Sequence, residues 1–261
     1  IYSNEEESLR KYEAGLKHFY LEKEMKKNSR KLIFNQTYKY CRDHKKDRVT
    51  SHKIQSSLIL DKIYNLEKYN KTVEVEVINA DCIDIAKKYS DSKVCLLNMA
   101  NAFSRGGGIL NGAIAQEESL CLASNLYFGL KPSFYPMQNL DFSYQKNVKF
   151  FRDSEMKVVE EFSVDVITVA APNLINRKRT ILTDLELEQK ILQILFYPMI
   201  FKNREVLILS AFGCGAFRND PYFVAWTFKK YIPFTNYKKI IFSIIDDSNS
   251  NNNYKIFKEI L

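Results

Sequence analysis

The chain has 261 residues, of which 46% are apolar and 13% aromatic, and a formal charge of +8. That is enough apolar chain for one large domain or two small ones, and it excludes wholesale disorder. No run approaches the roughly 18 uninterrupted apolar residues of a membrane span, so no membrane partner is expected.

The positive charge is concentrated at one end. Residues 1–72 hold 17 Lys/Arg against 10 Asp/Glu, whereas residues 73–261 hold 22 against 21. An anionic polymer suits such a surface; so does a plain compositional bias toward Lys, Asn, Ile and Tyr. The chain opens Ile1-Tyr2-Ser3 without an initiator Met and runs into Glu5-Glu6-Glu7. That is not a signal-peptide pattern, and a trimmed chain is expected. None of the five cysteines forms a CxxC; Cys82, Cys95 and Cys214, in apolar surroundings, are expected as buried free thiols in a reducing, intracellular compartment, cytoplasmic or nuclear. The three histidines, His18, His44 and His52, all lie near the N-terminus.

In chain order, Leu9, Tyr12, Leu16, Phe19 and Tyr20 have helical spacing within residues 5–27. Residues 28–53 are polar and basic and read as a loop. Residues 54–69 again read as helix. From residue 73 the pattern changes. Val73, Val75 and Val77 alternate with Glu74 and Glu76, a half-exposed strand. Val94–Leu97, Val148–Phe151, Val164–Ala171, Val206–Ala211 and Ile240–Ile245 complete six strands. Helices are expected near Ile83, from Ile114 toward Leu126, after a capping box Thr183…Glu186 with Pro198 kinking or ending it, over 221–231 behind the cap Asp220-Pro221, and over the amphipathic tail 253–261. Strands alternating with helices imply a layered α/β domain with a largely parallel sheet, whose ligands sit at the carboxyl ends of the strands.

Two glycine loops follow such strands. Gly106-Gly107-Gly108 is followed, after seven residues, by Gln116-Glu117-Glu118. Consecutive glycines leave backbone N–H groups open to a sugar or phosphate, and cleavage of an acetal needs carboxylates beside it. Adjacent on a helix, Glu117 and Glu118 point about 100° apart. One is therefore expected to supply the proton and the other to hold a hydroxyl. A helix N-terminus lowers a carboxyl pKa, while burial and a neighbouring acid raise it. The second loop, Gly213-Cys214-Gly215-Ala216, offers a compact run of backbone donors for a diphosphate. With no histidine in this core and no spaced metal ligands, no metal and no cofactor are expected.

The stretch Asn98-Met99-Ala100-Asn101-Ala102-Phe103-Ser104-Arg105-Gly106-Gly107-Gly108, continuing to Gln116-Glu117-Glu118, closely resembles the GGG…QEE signature of poly(ADP-ribose) glycohydrolases. Ser119–Tyr127, Ala170-Ala171-Pro172-Asn173 and Ser210–Pro221 resemble the microbial-type branch. The resemblance covers about residues 73–261. It implies a macrodomain-like three-layer α/β/α fold with a mixed, largely parallel six-stranded sheet. Residues 1–72 then form an N-terminal helical extension packed on a catalytic domain of residues 73–261.

It further implies hydrolysis of ribose–ribose O-glycosidic bonds in poly(ADP-ribose), releasing ADP-ribose. Glu118 is then the general acid and base, and Glu117 the holder of the distal ribose hydroxyls. Gln116 helps orient the loop. Asn101 is a ribose ligand or a turn cap, and Asn98 a weaker candidate of the same kind. Phe217 packs on the distal ribose or in the core. Asp81 contacts adenine or caps the following helix. Arg105 departs from the branch, which usually has Pro before the glycines; it changes loop rigidity or adds a cation beside an anionic ligand. The implied partner is ADP-ribose, free or as a polymer or protein adduct, taken by a monomer with no need of nucleic acid. A mono-ADP-ribosyl hydrolase would present the same pocket. A non-catalytic reader needs neither acid, and a dinucleotide oxidoreductase lacks its GxGxxG opening.

Overall fold

The computed structural model describes residues 2–55, 67, 72–138, 140–246 and 252–261, with residues 2–20 described by backbone alone. The expected helix over 54–69 lies outside the described residues, apart from its first two positions and residue 67. A single sheet runs β1 (Thr50–Ile54), β4 (Phe142–Arg152), β5 (Val158–Val169), β3 (Val94–Met99), β6 (Val206–Leu209), β7 (Lys239–Ser243), β2 (Glu74–Ile78). Pairing is antiparallel for β1/β4 and β4/β5 and parallel for the other four pairs. The fold is thus the expected mixed α/β type, with seven strands rather than six.

The extra strand is β1, in a stretch that reads as loop. Thr50-Ser51-His52-Lys53-Ile54 has no apolar alternation. It is an edge strand, held by its backbone ladder to β4, and edge strands tolerate polar side chains on both faces. The polar stretch before it is helical too. A single helix, α1 (Tyr2–Asp43), runs on through residues 28–43. Over residues 21–43 its packing face is narrow, with Phe34, Thr37 and Cys41 buried at spacings of three and four.

The buried strands sort their side chains by period two. On β3, Cys95 and Leu97 face one core while Val94 and Leu96 face the other; on β6, Leu207 and Leu209 oppose Val206 and Ile208 in the same way. The first core is closed by α5 (Ile181–Lys202), α6 (Pro221–Tyr231) and α7 (Asn253–Ile260). The second is closed by α1, α2 (Cys82–Lys88), α3 (Gln116–Ala123) and the short α4 (Leu126–Gly129). Three layers result, with the strand ends between them open for a site.

Helix starts follow local chemistry. Asp220 caps α6 by accepting from Tyr222 N–H at 3.0 Å, with Pro221 at the first helical position. The box opening α5 sits three residues earlier than its sequence signature: Thr180 is the N-cap and pairs reciprocally with Thr183. Pro198 lies inside α5, which continues to Lys202 and ends on Asn203 in the left-handed region. Two hydrogen bonds tie α1 to the segment carrying the acids, from Thr37 Oγ1 to Leu122 O at 2.7 Å and from Arg30 Nη1 to Gly112 O at 2.9 Å. All five cysteines are buried and unpaired. Among the described residues no helix is long and apolar enough to cross a membrane.

Candidate active site

The carboxyl ends of β3, β5 and β6 open into a cleft of about 330 Å³. Both glycine loops reach it. Gly107, Glu117 and Glu118 line one wall; Gly213, Gly215, Ala216 and Phe217 line the other. A second cavity of about 450 Å³ adjoins it, sharing Met99, Ala115, Gln116, Ala211 and Gly215, and extends past Asp81, Ser243 and Asn253.

The two acids stand at the start of α3 and are both buried. Gln116 fixes that start to β3. Its Oε1 accepts from Met99 N–H at 2.7 Å and its Nε2 donates to Leu97 O at 2.7 Å. With both amide atoms taken by backbone, Gln116 positions the helix, and through it both carboxylates. Glu118 is the third helical residue. Its Oε2 accepts from the Ala115 N–H at 2.8 Å, the reach-back of a capping box whose other half Ala115 has no side chain to supply. Its Oε1 accepts from Gly108 N–H at 2.8 Å. Glu117 turns the other way, accepting from Asn101 N–H at 2.8 Å and from Asn98 Nδ2 at 3.4 Å.

Gly107 lies directly over both acids. A Cβ there would sit 2.3 Å from Glu118 Oε1 and 3.3 Å from Glu117 Oε2, and its φ is +60°. Gly106 and Gly108 hold the same loop, Gly106 against the Tyr127 ring and Gly108 against Ala113. Arg105 is committed to that loop as well. Its Nε and Nη2 donate to Tyr127 O at 3.0 and 2.6 Å, and its guanidinium lies 3.9 Å from the Tyr127 ring centroid. Of the two effects expected of this arginine, loop rigidity is the one the geometry carries.

Burial pushes the Glu117 carboxyl up to about 8, against the lowering hydrogen bonds from Asn101 and Asn98, with Glu118 adding to the rise. Ionising Glu117 therefore costs the folded state. In the folded protein the group stays neutral up to about pH 8, while the unfolded chain ionises it near 4.5. Stability from this group is complete below about pH 4.5 and is lost as pH rises through about 8. The melting temperature is expected to fall across that window. Glu117→Gln, a neutral mimic, is expected to flatten the slope, because the Asn98 Oδ1 has no partner and can turn to accept from the new amide. Melting curves of both proteins from about pH 5 to 8 check this; equal slopes would refute it.

The remaining candidates divide. Asn101 uses its Oδ1 on the Phe103 and Ser104 N–H groups at 2.8 and 2.9 Å, a turn cap, and lines the cleft. Asn98 is fully buried, bonded to Glu117 and to Thr168 Oγ1, and lies behind the acid rather than in the cleft. Thr168 in turn donates to Gln145 Oε1 at 2.7 Å, so a buried polar chain on three strands backs Glu117. Asp81 caps α2 through Ile83 N–H at 2.8 Å and also lines the second cavity, where burial raises its carboxyl pKa. Phe217 packs partly on the first core and partly on the cleft.

In the second loop Cys214 stands apart from its neighbours. Its thiol is buried and its N–H closes a turn onto Ala211 O at 3.0 Å. The N–H groups of Gly215, Ala216 and Phe217 have no acceptor among the described residues, and nothing lies within 4 Å of where a Gly215 Cβ would stand. Three successive free donors on an open loop are the groups from which an anion-binding nest is built. Asn219 holds that loop in place through Pro172 O and Gly213 O at 2.8 and 3.0 Å. Sequence reading missed Asn219, Thr168 and Tyr135, whose hydroxyl is buried without a partner. Only Thr168 left a trace, as a polar residue in an apolar strand.

The fold that carries this cleft is shared with known proteins. The poly(ADP-ribose) glycohydrolase from Thermomonospora curvata superposes with a TM-score of 0.81 at 25% identity, covering 90% of this chain and 100% of that one. The same bacterial enzyme bound to the inhibitor ADP-HPD matches with a TM-score of 0.80. Poly(ADP-ribose) glycohydrolase from Deinococcus radiodurans in complex with ADP-ribose gives 0.73 at 26% identity, covering 81% of this chain and 94% of that one. No curated protein matches the chain. The pattern described as "Microbial-type PARG, catalytic domain" matches residues 18–159, beginning within α1 and including the glycine loop and both acids. The chain belongs to the microbial-type poly(ADP-ribose) glycohydrolase (PARG) family and is a glycohydrolase of ADP-ribose polymers.

Proposed function

We propose that the chain hydrolyses poly(ADP-ribose) with Glu118 as the catalytic acid and base and Glu117 as the residue that holds the distal ribose. The observation that carries this is Gly107, which lines the cleft together with Glu117 and Glu118 and, having no Cβ, lets the glycine loop close onto both buried carboxylates. In the reaction Glu118 gives its proton to the oxygen between the two riboses. The C–O bond breaks with its electron pair on that oxygen, and the sugar left behind has oxocarbenium character. Water then adds to the anomeric carbon and returns a proton to Glu118. Glu117 and Asn101 orient the ribose hydroxyls.

The Gly215–Phe217 nest takes the diphosphate, Phe217 packs on the distal ribose, and the second cavity with Asp81 takes the adenosine end. Cys214 shapes the loop from behind. Within the extension 1–72, α1 and β1 brace the catalytic unit 73–261. The unpaired thiols fit a reducing intracellular compartment, and a monomer fits residues for acid, ribose and diphosphate that all come from one chain.

The test is hydrolysis of poly(ADP-ribose) and of mono-ADP-ribosylated protein, each with and without EDTA, followed by released ADP-ribose. Polymer turnover is expected, unchanged by the chelator, because no group of three potential metal ligands is gathered among the described residues. A metal-restorable loss would overturn the cofactor-free mechanism. Release from the mono-adduct alone would move the substrate to that class.

A further inference from the structure

We propose that the cleft continues, on the side where the leaving group departs, into a subsite for the next nucleotide unit of the polymer. Phe103 is its stacking platform, and Arg177, Lys178 and Arg218 are its phosphate-binding cations. This rests on the glycohydrolase reading above and extends it beyond the unit held in the cleft.

The two joined cavities set the direction. The adenosine end lies toward Asp81, Ser243 and Asn253, past the ends of β2 and β7. The acids lie in the other cavity, over the ends of β3 and β5. The leaving polymer therefore departs away from Asp81, between the turn Asn101–Gly107 and the loops after β5 and β6.

Phe103 stands on that turn and is 78% exposed. Its backbone is held at three points: Phe103 and Ser104 N–H groups donate to Asn101 Oδ1, and Met137 N–H donates to Ala102 O at 2.8 Å. An aromatic ring on a fixed turn loses little freedom on stacking, and base–aromatic stacking tolerates any base.

The opposite bank is basic. Leu174 N–H donates to Phe217 O at 2.9 Å, which ties the segment after β5 to the loop after β6 at the cleft wall. Arg177, Lys178 and Arg218, carried by these two segments, are exposed. Arg179 is spent on Asp184 and Asp220 at 2.8 and 2.6 Å, and among the described residues none of the other three meets a carboxylate. A polymer with two phosphates per unit complements this uncompensated charge.

The experiment compares wild type, Phe103→Ala, Phe103→Tyr and the double variant Arg177→Ala/Lys178→Ala. It measures KM and kcat on long polymer, calorimetric affinity for free ADP-ribose, and melting temperature. Phe103→Ala is expected to raise polymer KM about tenfold, with ADP-ribose affinity kept within about twofold, and Phe103→Tyr is expected to restore it. The double variant is expected to raise polymer KM and weaken its salt dependence. Unchanged polymer KM in both variants overturns the subsite and leaves the glycohydrolase reading standing. Equal losses for polymer and ADP-ribose overturn it too, by placing these residues on the unit already in the cleft. A wild type that fails to cleave polymer overturns both.

Discussion

Glu118→Gln is expected to slow polymer hydrolysis by at least about a hundredfold while the protein still binds ADP-ribose. General acid–base catalysis is worth about 10²–10⁴, and an amide has no proton to transfer to the leaving oxygen. The geometry adds a cost that shape alone does not reveal. Both Glu118 oxygens accept backbone N–H groups, from Gly108 and Ala115, each at 2.8 Å. Glutamine can accept only one of these and turns an NH₂ against the other donor. Leaving a buried donor unmet costs about 1–3 kcal/mol, so a melting temperature lower by several degrees is expected beside the kinetic loss. The nest at Gly215–Phe217 stands on the other wall of the cleft, so ligand affinity is expected to fall far less than turnover. Single-turnover hydrolysis with calorimetry on the same preparation decides it. Near-wild-type turnover in the variant would remove Glu118 from the chemistry.

The acids and glycines were legible as one cluster because the contacts that join them are local in sequence. Gly106–Gly108 and Gln116–Glu118 lie on one loop and the first turn of the helix it feeds, so the spacing is the geometry. The buried strands were legible because parallel strands covered on both faces must be apolar throughout. What escaped depends on contacts between distant segments. Thr50–Ile54 becomes a strand only because β4 offers its edge. Residues 28–43 stay helical on a stripe of Phe34, Thr37 and Cys41, in which the central residue is polar and is satisfied by Leu122 O, far along the chain. The chain Glu117–Asn98–Thr168–Gln145 crosses three strands, and nothing in sequence spacing brings those residues together. Cys214 and Gly215 look alike as loop donors until the turn onto Ala211 O consumes the first and leaves the second free.

Gly107→Ala is expected to abolish turnover, and Gly107→Val to abolish ADP-ribose binding as well. Two separate costs meet at this residue. Its φ of +60° is unfavourable for a residue with a Cβ, by about 1–2 kcal/mol, which lowers the melting temperature by a few degrees. The second cost is steric and falls on the chemistry. The added carbon would sit 2.3 Å from Glu118 Oε1 and 3.0 Å from its Cδ, so the carboxylate must move. Displacement of that group breaks its bond to Gly108 N–H and takes the acid off the scissile oxygen, where misplacement by about 1 Å costs about a hundredfold. Valine adds two methyls beyond that carbon, which crowd the acids further and, on the proposed function, the distal ribose that they hold. If Gly107 served only to permit a turn, Gly107→Asn would separate the views. Asparagine accepts the left-handed region more readily than alanine, so a turn-only role predicts that it recovers most of the activity. Close approach to Glu118 predicts that Asn is as inactive as Ala although more stable, because both carry the same Cβ. An active, ADP-ribose-binding Gly107→Asn protein would detach the glycine loop from the acids, and with it the argument that loop and carboxylates act on one sugar.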